Sequence, residues 1–143
     1  LQGDWSSDVC SSDLRRRLAQ VQMADFAERY PTELGDGMRK RVAIARALTV
    51  DPRYVLFDEP TTSLDPVSAR RVDRLIRELS DTLGVTSVVV SHDLTSIFTI
   101  ASRVAMLYQG RLRLVGTPAE FRASSDPIVY QFVRGLAEGP MEL

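Results

Sequence analysis

Two polar clusters in this 143-residue sequence each follow a short apolar run. Asp58 and Glu59 come directly after residues 54–57 (YVLF), and His92 comes one serine after residues 88–90 (VVV). Two adjacent carboxylates at the end of a buried strand suit hydrolysis of a nucleotide with Mg²⁺. In that chemistry Asp58 holds the magnesium shell and Glu59 polarises the attacking water. His92, on a neighbouring strand, can then touch the terminal phosphate.

A purely structural role for these polar groups stays open on residue types alone. Carboxylates in such positions also cap loops and the helices that follow them, and a lone histidine is commonly a structural residue. A Ser-His-Asp triad is excluded, because Ser91, His92 and Asp93 are adjacent in the chain and adjacent residues do not form a triad.

The elements that position these groups alternate between helices and strands. Apolar runs at residues 54–57 and 85–90 predict central strands, the first of them buried on both faces. A strand pair around Gln109-Gly110 predicts a β-hairpin. Apolar spacing and end signals predict helices at residues 14–29, 38–48, 66–83, 93–101, 117 onward and 127–135. This order indicates an α/β domain with at least two parallel strands, and ligands of such sheets meet the carboxyl ends of the strands.

Several residues mark the ends of these helices. Pro66 begins a helix and Gly84 follows its end; proline in the first turn and glycine just after the last turn are both favoured at helix ends. Asp93 or Ser91 is available to cap the next helix. Thr117 and Glu120 have the spacing of a capping box.

Charge, cysteine content and hydropathy exclude several protein classes. The sequence has 18 basic and 19 acidic residues, so its formal charge of -1 argues against a nucleic-acid partner bound by bulk phosphate neutralisation and leaves only a local patch open. One cysteine excludes an internal disulfide framework. No apolar run approaches the roughly 20 residues of a membrane-spanning helix. These observations argue against a secreted or membrane-embedded protein.

Residues 1–14 differ in composition from the rest of the chain. They are rich in Ser and Asp, carry the only Trp and Cys, and lack apolar periodicity. One interpretation is a disordered leader. A sharper one is that residues 4–13 are a literal translation of GACTGGAGTTCAGACGTGTGCTCTTCCGAT, which resembles a common short-read sequencing adapter. We therefore expect a non-native leader, with the native polypeptide beginning, truncated, near residue 14.

Three motifs in register resemble one family. LGDGMRKRVAIARAL at residues 34–48, YVLFDEPTTSLDP at residues 54–66 and VVVSHD at residues 88–93 are similar to the second half of the nucleotide-binding domain of ABC-type ATPases. The order and spacing match along nearly all of residues 14–108. The resemblance implies a P-loop NTPase-like α/β fold, truncated at its N-terminus, with part of the helical subdomain and parallel core strands.

The resemblance also implies roles for individual residues. Asp58 ends the Walker B strand and holds Mg²⁺, Glu59 is the catalytic base, and His92 is the switch histidine that senses the γ-phosphate. The D-loop, which crosses the interface of an ATPase dimer, runs from Ser63 to Asp65, and the resemblance implies that Ser63 and Asp65 bind ATP.

The signature loop of the family, which binds ATP held by the partner subunit, aligns with residues 34–38. The implied ATP-binding residues there are Gly35, Asp36, Gly37 and Met38. A loop that enters a helix N-terminus aims backbone N–H groups at an anion, which suits a γ-phosphate. The alternative is a glycine-rich helix entry with no ligand.

Two departures from the family pattern bear on activity. Where the family has Ser-Gly-Gly, this chain has Gly35-Asp36-Gly37, so Asp36 either caps the helix and points away or opposes the phosphate. The sequence has no GxxxxGK[ST] loop and no glutamine loop, so we expect the chain alone to bind ATP poorly and to be inactive. The basic residues 39–41 are interpreted as a solvated helix face rather than a phosphate clamp.

The C-terminal third indicates a branch of the family. Residues 91–124, followed by DPIVYQFVRGLAEGP at residues 126–140, resemble the ATPase subunit of Mla/Mce-type lipid transporters, as do Met38 to Arg41. The alternative is that the apolar side chains here only pack a small terminal helix on the domain; these are Phe121, Ile128, Val129, Phe132 and Val133.

Together, these observations predict the ATP-binding and ATP-hydrolysing subunit of an ABC transporter that powers phospholipid transport across the bacterial envelope. The implied cofactors are ATP and Mg²⁺. The implied partners are a second ATPase subunit in a homodimer, an integral membrane permease, and accessory and substrate-binding subunits, with a cytoplasmic location peripheral on the inner membrane. The predicted organisation is a leader at 1–14 and a partial nucleotide-binding domain at 15–143, divided into 15–50, 51–115 and 116–143. Alternatives are a non-catalytic interaction module and a soluble, non-transport ABC ATPase.

Overall fold

The computed structural model describes residues 7–141, with side chains from residue 12 onward. Its two compact units meet in the chain between Ser91 and His92, and the predicted division at residues 50 and 115 stays a prediction. The first unit contains helices α1 (Ser7–Gln20), α2 (Asp36–Leu48) and α3 (Pro66–Leu83) and strands β1 (Tyr54–Asp58) and β2 (Thr86–Val90). The second contains α4 (Leu94–Ile100), β3 (Val104–Tyr108), β4 (Arg111–Gly116), α5 (Pro118–Arg122) and α6 (Pro127–Arg134). No helix within residues 7–141 has both the length and the apolar character needed to cross a bilayer.

Strands β1 and β2 form the parallel pair that the sequence predicts. The register runs from Tyr54 opposite Thr86 to Asp58 opposite Val90, so both strands end at the same edge. The Ser80 hydroxyl of α3 lies 2.7 Å from that of Ser87 in β2, which places α3 on one face of the pair.

The expectation that β1 is buried on both faces is wrong in the described part of the chain. Val55 is buried, whereas Tyr54 is 68% and Leu56 is 78% exposed. Successive side chains of a strand point to opposite faces, and Val55 shares the helix-covered face with Ser87, its partner in the register. The apolar run therefore predicts a strand, but it does not predict which of the two faces of that strand is buried.

Helix α3 confirms the prediction for residues 66–83. Asp65 caps its N-terminus by accepting from the backbone N–H groups of Val67 and Ser68, and Gly84 ends it at φ 65°. Its buried face packs into the core of the unit; the apolar residues there are Ala69, Val72, Leu75, Ile76 and Leu79. This helix also leads directly out of the predicted D-loop, so its start fixes the position of that loop.

Helix α2 begins two residues before its predicted start and ends at the predicted Leu48. Its buried side chains are Ile44, Ala45 and Leu48, while the predicted Met38 and Val42 are half-buried.

Helix α1 differs most from the sequence prediction of residues 14–29. It ends at Gln20, because Gln22 adopts φ 58° and the chain continues into a 3₁₀ turn at Ala24–Phe26. It begins at Ser7, so residues 7–14, expected to be irregular, are helical. Residues 1–6 lie outside the described residues, and the adapter origin of the leader stays a prediction.

The second unit confirms the hairpin and the helix caps. Strands β3 and β4 pair antiparallel across Gln109 and Gly110, whose φ angles of 47° and 71° suit a tight hairpin turn. Asp93, rather than Ser91, is the N-cap of α4. The capping box of Thr117 and Glu120 is present at α5. A small core holds the unit together and consists of Val104, Met106, Phe121 and Val129.

Candidate functional site

The carboxyl end of β1 delivers Asp58 and Glu59 to the edge of the parallel pair. Asp58 is the last residue of the strand and is exposed. The backbone N–H of Glu59 donates to the Val90 carbonyl at 2.9 Å, which extends the ladder by one bond beyond the strand. Glu59 itself adopts φ 46°, a left-handed conformation that costs an L-residue free energy. A residue held in such a conformation at a strand end is a common feature of functional sites.

Two residues that the sequence analysis did not assign to the site, Thr62 and Lys40, hold Glu59 in place. The Thr62 hydroxyl donates to the Glu59 carboxylate at 2.8 Å, and the Thr62 backbone N–H donates to the Glu59 carbonyl at 3.3 Å. The Lys40 ammonium group of α2 donates to the same carbonyl at 3.4 Å. The three-residue spacing of Glu59 and Thr62 is a sequence signal for the first contact, whereas the contact of Lys40 depends on the tertiary structure.

The turn between β1 and α3 positions Ser63 and Asp65. Ser63 adopts φ 67°, and the Leu64 backbone N–H donates to the Thr61 carbonyl at 3.2 Å. The Ser68 hydroxyl, followed by the backbone N–H of Ser68, lowers the pKa of the Asp65 carboxyl by hydrogen bonding. The Asp65 carboxylate is therefore occupied by the start of α3.

A cleft of about 390 Å³ lies where the N-termini of α2 and α3 meet. All six residues that the sequence assigns to ATP binding line it: Gly35, Asp36, Gly37, Met38, Ser63 and Asp65. Their role in ATP binding stays a prediction. Further lining residues are Phe26, Arg41, Leu64, Ser68, Arg71 and Val72. The N-terminus of α2, whose first-turn amides no side chain caps, favours an anion in such a cleft.

Two guanidinium groups give this cleft a basic side. Burial, and then the positive charge of Arg71, lower the pKa of Arg41. The interpretation of residues 39–41 as a solvated face is thus wrong for Arg41, which lines the cleft, and for Lys40, which contacts Glu59. The available signal was helical spacing, because Arg41 lies one turn after Gly37 and Arg71 lies one turn after Ser68.

Asp36 is not the cap of α2. The N-cap is Gly35, which offers no side chain, and Asp36 is the first helical residue. The Asp36 carboxylate forms an ion pair with Arg39, three residues along the helix. The alternative that Asp36 caps the helix is therefore corrected: its carboxylate is engaged by a neighbouring cation instead.

Asp58 is the residue that the sequence assigns to Mg²⁺. Within residues 7–141 no group of three or more His, Cys, Asp or Glu side chains could hold a metal ion. Mg²⁺ at nucleotide sites takes one or two carboxylates together with phosphate oxygens and waters, so Asp58 fits as a single protein ligand. His92 opens the second unit, and its contact with a γ-phosphate stays a prediction.

Comparison with known proteins identifies relatives of this chain. A protein-family model described as ABC transporter matches residues 6–62. The chain is 42% identical over 130 residues to the sulfate/thiosulfate import ATP-binding protein CysA of Xylella fastidiosa, covering 90% of the chain and 37% of that protein. It is 38% identical over 130 residues to the intermembrane phospholipid transport system ATP-binding protein MlaF of Escherichia coli, covering 91% of the chain and 48% of that protein. The chain thus spans less than half the length of either relative.

Solved structures share the fold. The cbiO1 protein of Clostridium perfringens, part of the ABC transporter complex cbiONQ, superposes with a TM-score of 0.79 at 27% identity, over 93% of the chain and 53% of that protein. The ADP conformation of MJ1267, an ATP-binding cassette of an ABC transporter, gives a TM-score of 0.77 at 24% identity, over 87% of the chain and 49% of that protein. These likenesses confirm the predicted P-loop NTPase-like α/β fold.

Proposed function

Because the chain belongs to the ABC transporter ATP-binding domain family, we propose that it forms part of a subunit that binds and hydrolyses ATP to power transport. One observation carries this proposal: β1 of the parallel strand pair ends at Asp58, and Glu59 follows it with its carboxylate held by Thr62 at 2.8 Å. Adjacent carboxylates at the end of a parallel strand are suited to nucleotide hydrolysis.

In the proposed reaction, Glu59 orients the attacking water and accepts its proton at a carboxylate oxygen. The hydrogen bond from Thr62 fixes that carboxylate, and the contact of Lys40 with the Glu59 carbonyl fixes the peptide beneath it. Asp58 would hold Mg²⁺ together with the nucleotide, and the ion would neutralise charge on the phosphates.

The cleft at the starts of α2 and α3 has a second role in this proposal. In an ATPase homodimer it receives the terminal phosphate of ATP held by the other subunit. Support comes from the first-turn amides of α2, which no side chain caps, and from the guanidinium groups of Arg41 and Arg71 in the lining.

The catalytic proposal is tested with Glu59→Gln in the complete gene product that contains this sequence. We expect ATP turnover to fall by about 100-fold or more while ATP binding is retained, because the amide keeps the shape but cannot accept the proton. Glu78→Gln, at an exposed glutamate of α3, is the matched control and should hydrolyse ATP at the unsubstituted rate. Unchanged turnover in Glu59→Gln would refute the role of Glu59. Absence of turnover in the unsubstituted protein would favour the non-catalytic interaction module.

For the transported substrate we propose a phospholipid or related lipid. Support comes from residues 91–124 and 126–140, which resemble Mla/Mce-type ATPases, and from the 38% identity to MlaF. The 42% identity to CysA favours sulfate import as the second candidate. Deleting the gene separates the two: slower phospholipid exchange between membranes supports lipid transport, and loss of growth on sulfate as the only sulfur source supports sulfate import.

The proposed partners follow from the same role. An integral membrane permease would bind the ATPase dimer at the inner membrane, together with accessory and substrate-binding subunits, and the ATPase would stay peripheral on the cytoplasmic side. Affinity purification of the tagged gene product from membranes tests this proposal, and recovery of the ATPase from the soluble fraction alone would contradict it.

A further inference from the structure

An acidic residue lies where the proposed function needs an anion to approach. Asp36 is the first residue of α2 and lines the cleft at the helix N-terminus. A carboxylate there interacts favourably with the helix dipole, but it competes with a phosphate for the same partial positive charge and repels it. The cleft therefore needs a way to offset this charge if it is to accept a phosphate.

Arg39 contacts both sides of the loop that carries Asp36. One terminal nitrogen of its guanidinium pairs with the Asp36 carboxylate, and the other donates to the Leu34 carbonyl at 3.1 Å. The Arg39 backbone N–H donates to the Gly35 carbonyl at 2.9 Å, which fixes the residue in the first turn of the helix. A planar fork of this kind can hold two acceptors at once, which a lysine ammonium group does less well.

The remaining charges around the cleft are arranged consistently with this contact. The second carboxylate of the lining, Asp65, accepts from the backbone N–H groups of Val67 and Ser68, both at 3.0 Å. Both lining carboxylates thus have donors, while Arg41 and Arg71 contribute positive charge to the cleft. Arg39 is not among the lining residues, so its contribution acts through Asp36.

We propose that Arg39 is a positioning residue that neutralises and holds the Asp36 carboxylate, so that this loop accepts a phosphate despite its acidic residue. The inference rests on the proposed function of the cleft and adds a residue to it. According to this proposal, the Gly35-Asp36-Gly37 sequence can accept an anionic ligand because Asp36 is paired with Arg39.

A double-mutant cycle with inorganic triphosphate tests the proposal on the complete gene product that contains this sequence. Binding is measured from the backbone amide shifts of Gly37 and Met38 in NMR titrations. We expect Arg39→Gln to weaken binding about fivefold, because it leaves one uncompensated negative charge beside the ligand. In the Asp36→Asn background the same substitution should weaken binding less than about twofold. The matched control is Arg77→Gln, which breaks an exposed Arg–Asp pair on α3 and should change binding less than about twofold.

The outcomes separate the positioning role from a general charge effect. Equal weakening by Arg39→Gln in both backgrounds would mean that Arg39 acts only through net charge, which overturns the proposal. Arg39→Lys provides a second variant that keeps the charge; binding as tight as in the unsubstituted chain would show that the fork to Leu34 is unnecessary and would also overturn it. If the unsubstituted chain shows no amide shifts with triphosphate, the cleft does not bind phosphate and this inference fails with it. The hydrolysis assay of Glu59→Gln then decides the catalytic proposal independently.

Discussion

Replacing Glu59 by glycine is expected to give a more stable chain than replacing it by alanine. Both substitutions remove the carboxylate and its hydrogen bond from Thr62, so these losses cancel in the comparison. What differs is the backbone, because Glu59 adopts φ 46°, which glycine reaches without a steric penalty and alanine does not. In most positions the order is the reverse, so the sign of the difference is diagnostic.

The magnitude follows from two opposing terms. A left-handed conformation costs an L-residue roughly 1–2 kcal/mol. Glycine also has more conformational freedom in the unfolded chain, which lowers the stability of the glycine variant by about 0.4–1 kcal/mol relative to the alanine variant. Glu59→Gly should therefore exceed Glu59→Ala in free energy of unfolding by about 0.7 kcal/mol.

Urea denaturation followed by circular dichroism measures this difference. With a slope of about 2 kcal/mol/M, the midpoint of Glu59→Gly should lie about 0.35 M above that of Glu59→Ala. Thr49, which ends α2 at φ -65°, is the matched control, and there the alanine variant should be the more stable of the two. If alanine is also favoured at position 59, Glu59 does not hold a left-handed backbone in solution, and the argument that places its carboxylate at the strand end fails.

Two further predictions concern the core and the carboxylates. Ile76→Ala, at a side chain only 2% exposed, should lower the free energy of unfolding by about 3 kcal/mol in the same urea experiment, whereas Leu83→Ala, at 37% exposure, should cost about 1 kcal/mol or less. The hydrogen bond from Arg113, followed by that from the Val129 backbone N–H, lowers the pKa of the Asp126 carboxyl. Its stabilising contribution is therefore present above the carboxyl pKa of the unfolded chain and is lost as pH falls through the lower folded value. Urea midpoints at pH 7, 5, 4 and 3 should fall less steeply in Asp126→Asn, which keeps a capping side chain without the titrating charge; parallel curves would contradict this.

Local signals in the sequence predicted most of the elements. Pro66, which begins α3, and Gly84, which follows its end, act through short-range mechanisms, and the structure confirms both. The end of α1 was missed because it depends on Gln22 adopting φ 58°, a conformation that glycine rather than glutamine would signal. The faces of β1 were missed because a continuous apolar run contains no alternation from which one face could be assigned.

Those parts of the candidate site that lie at the ends of strands and the starts of helices were predictable from local motifs. Asp58 and Glu59 follow directly from the strand that precedes them, and the residues at the starts of α2 and α3 share a cleft as a consequence of two separate helix entries. Lys40 was not predictable as part of the site. Its contact with Glu59 depends on how α2 lies beside the β1–α3 turn, which no local spacing shows.

The positions where local rules are broken coincide with the proposed chemistry. Glu59 and Ser63 hold left-handed backbones that favour glycine, and Asp36 places negative charge where an anion is proposed to bind. A polar contact accompanies two of these exceptions: Thr62 holds the carboxylate of Glu59, and Arg39 holds that of Asp36. A chain that only had to fold would be served better by glycine at positions 59 and 63. The left-handed backbones at positions 59 and 63 cost free energy. This cost is consistent with a turn whose residues serve the proposed chemistry rather than stability.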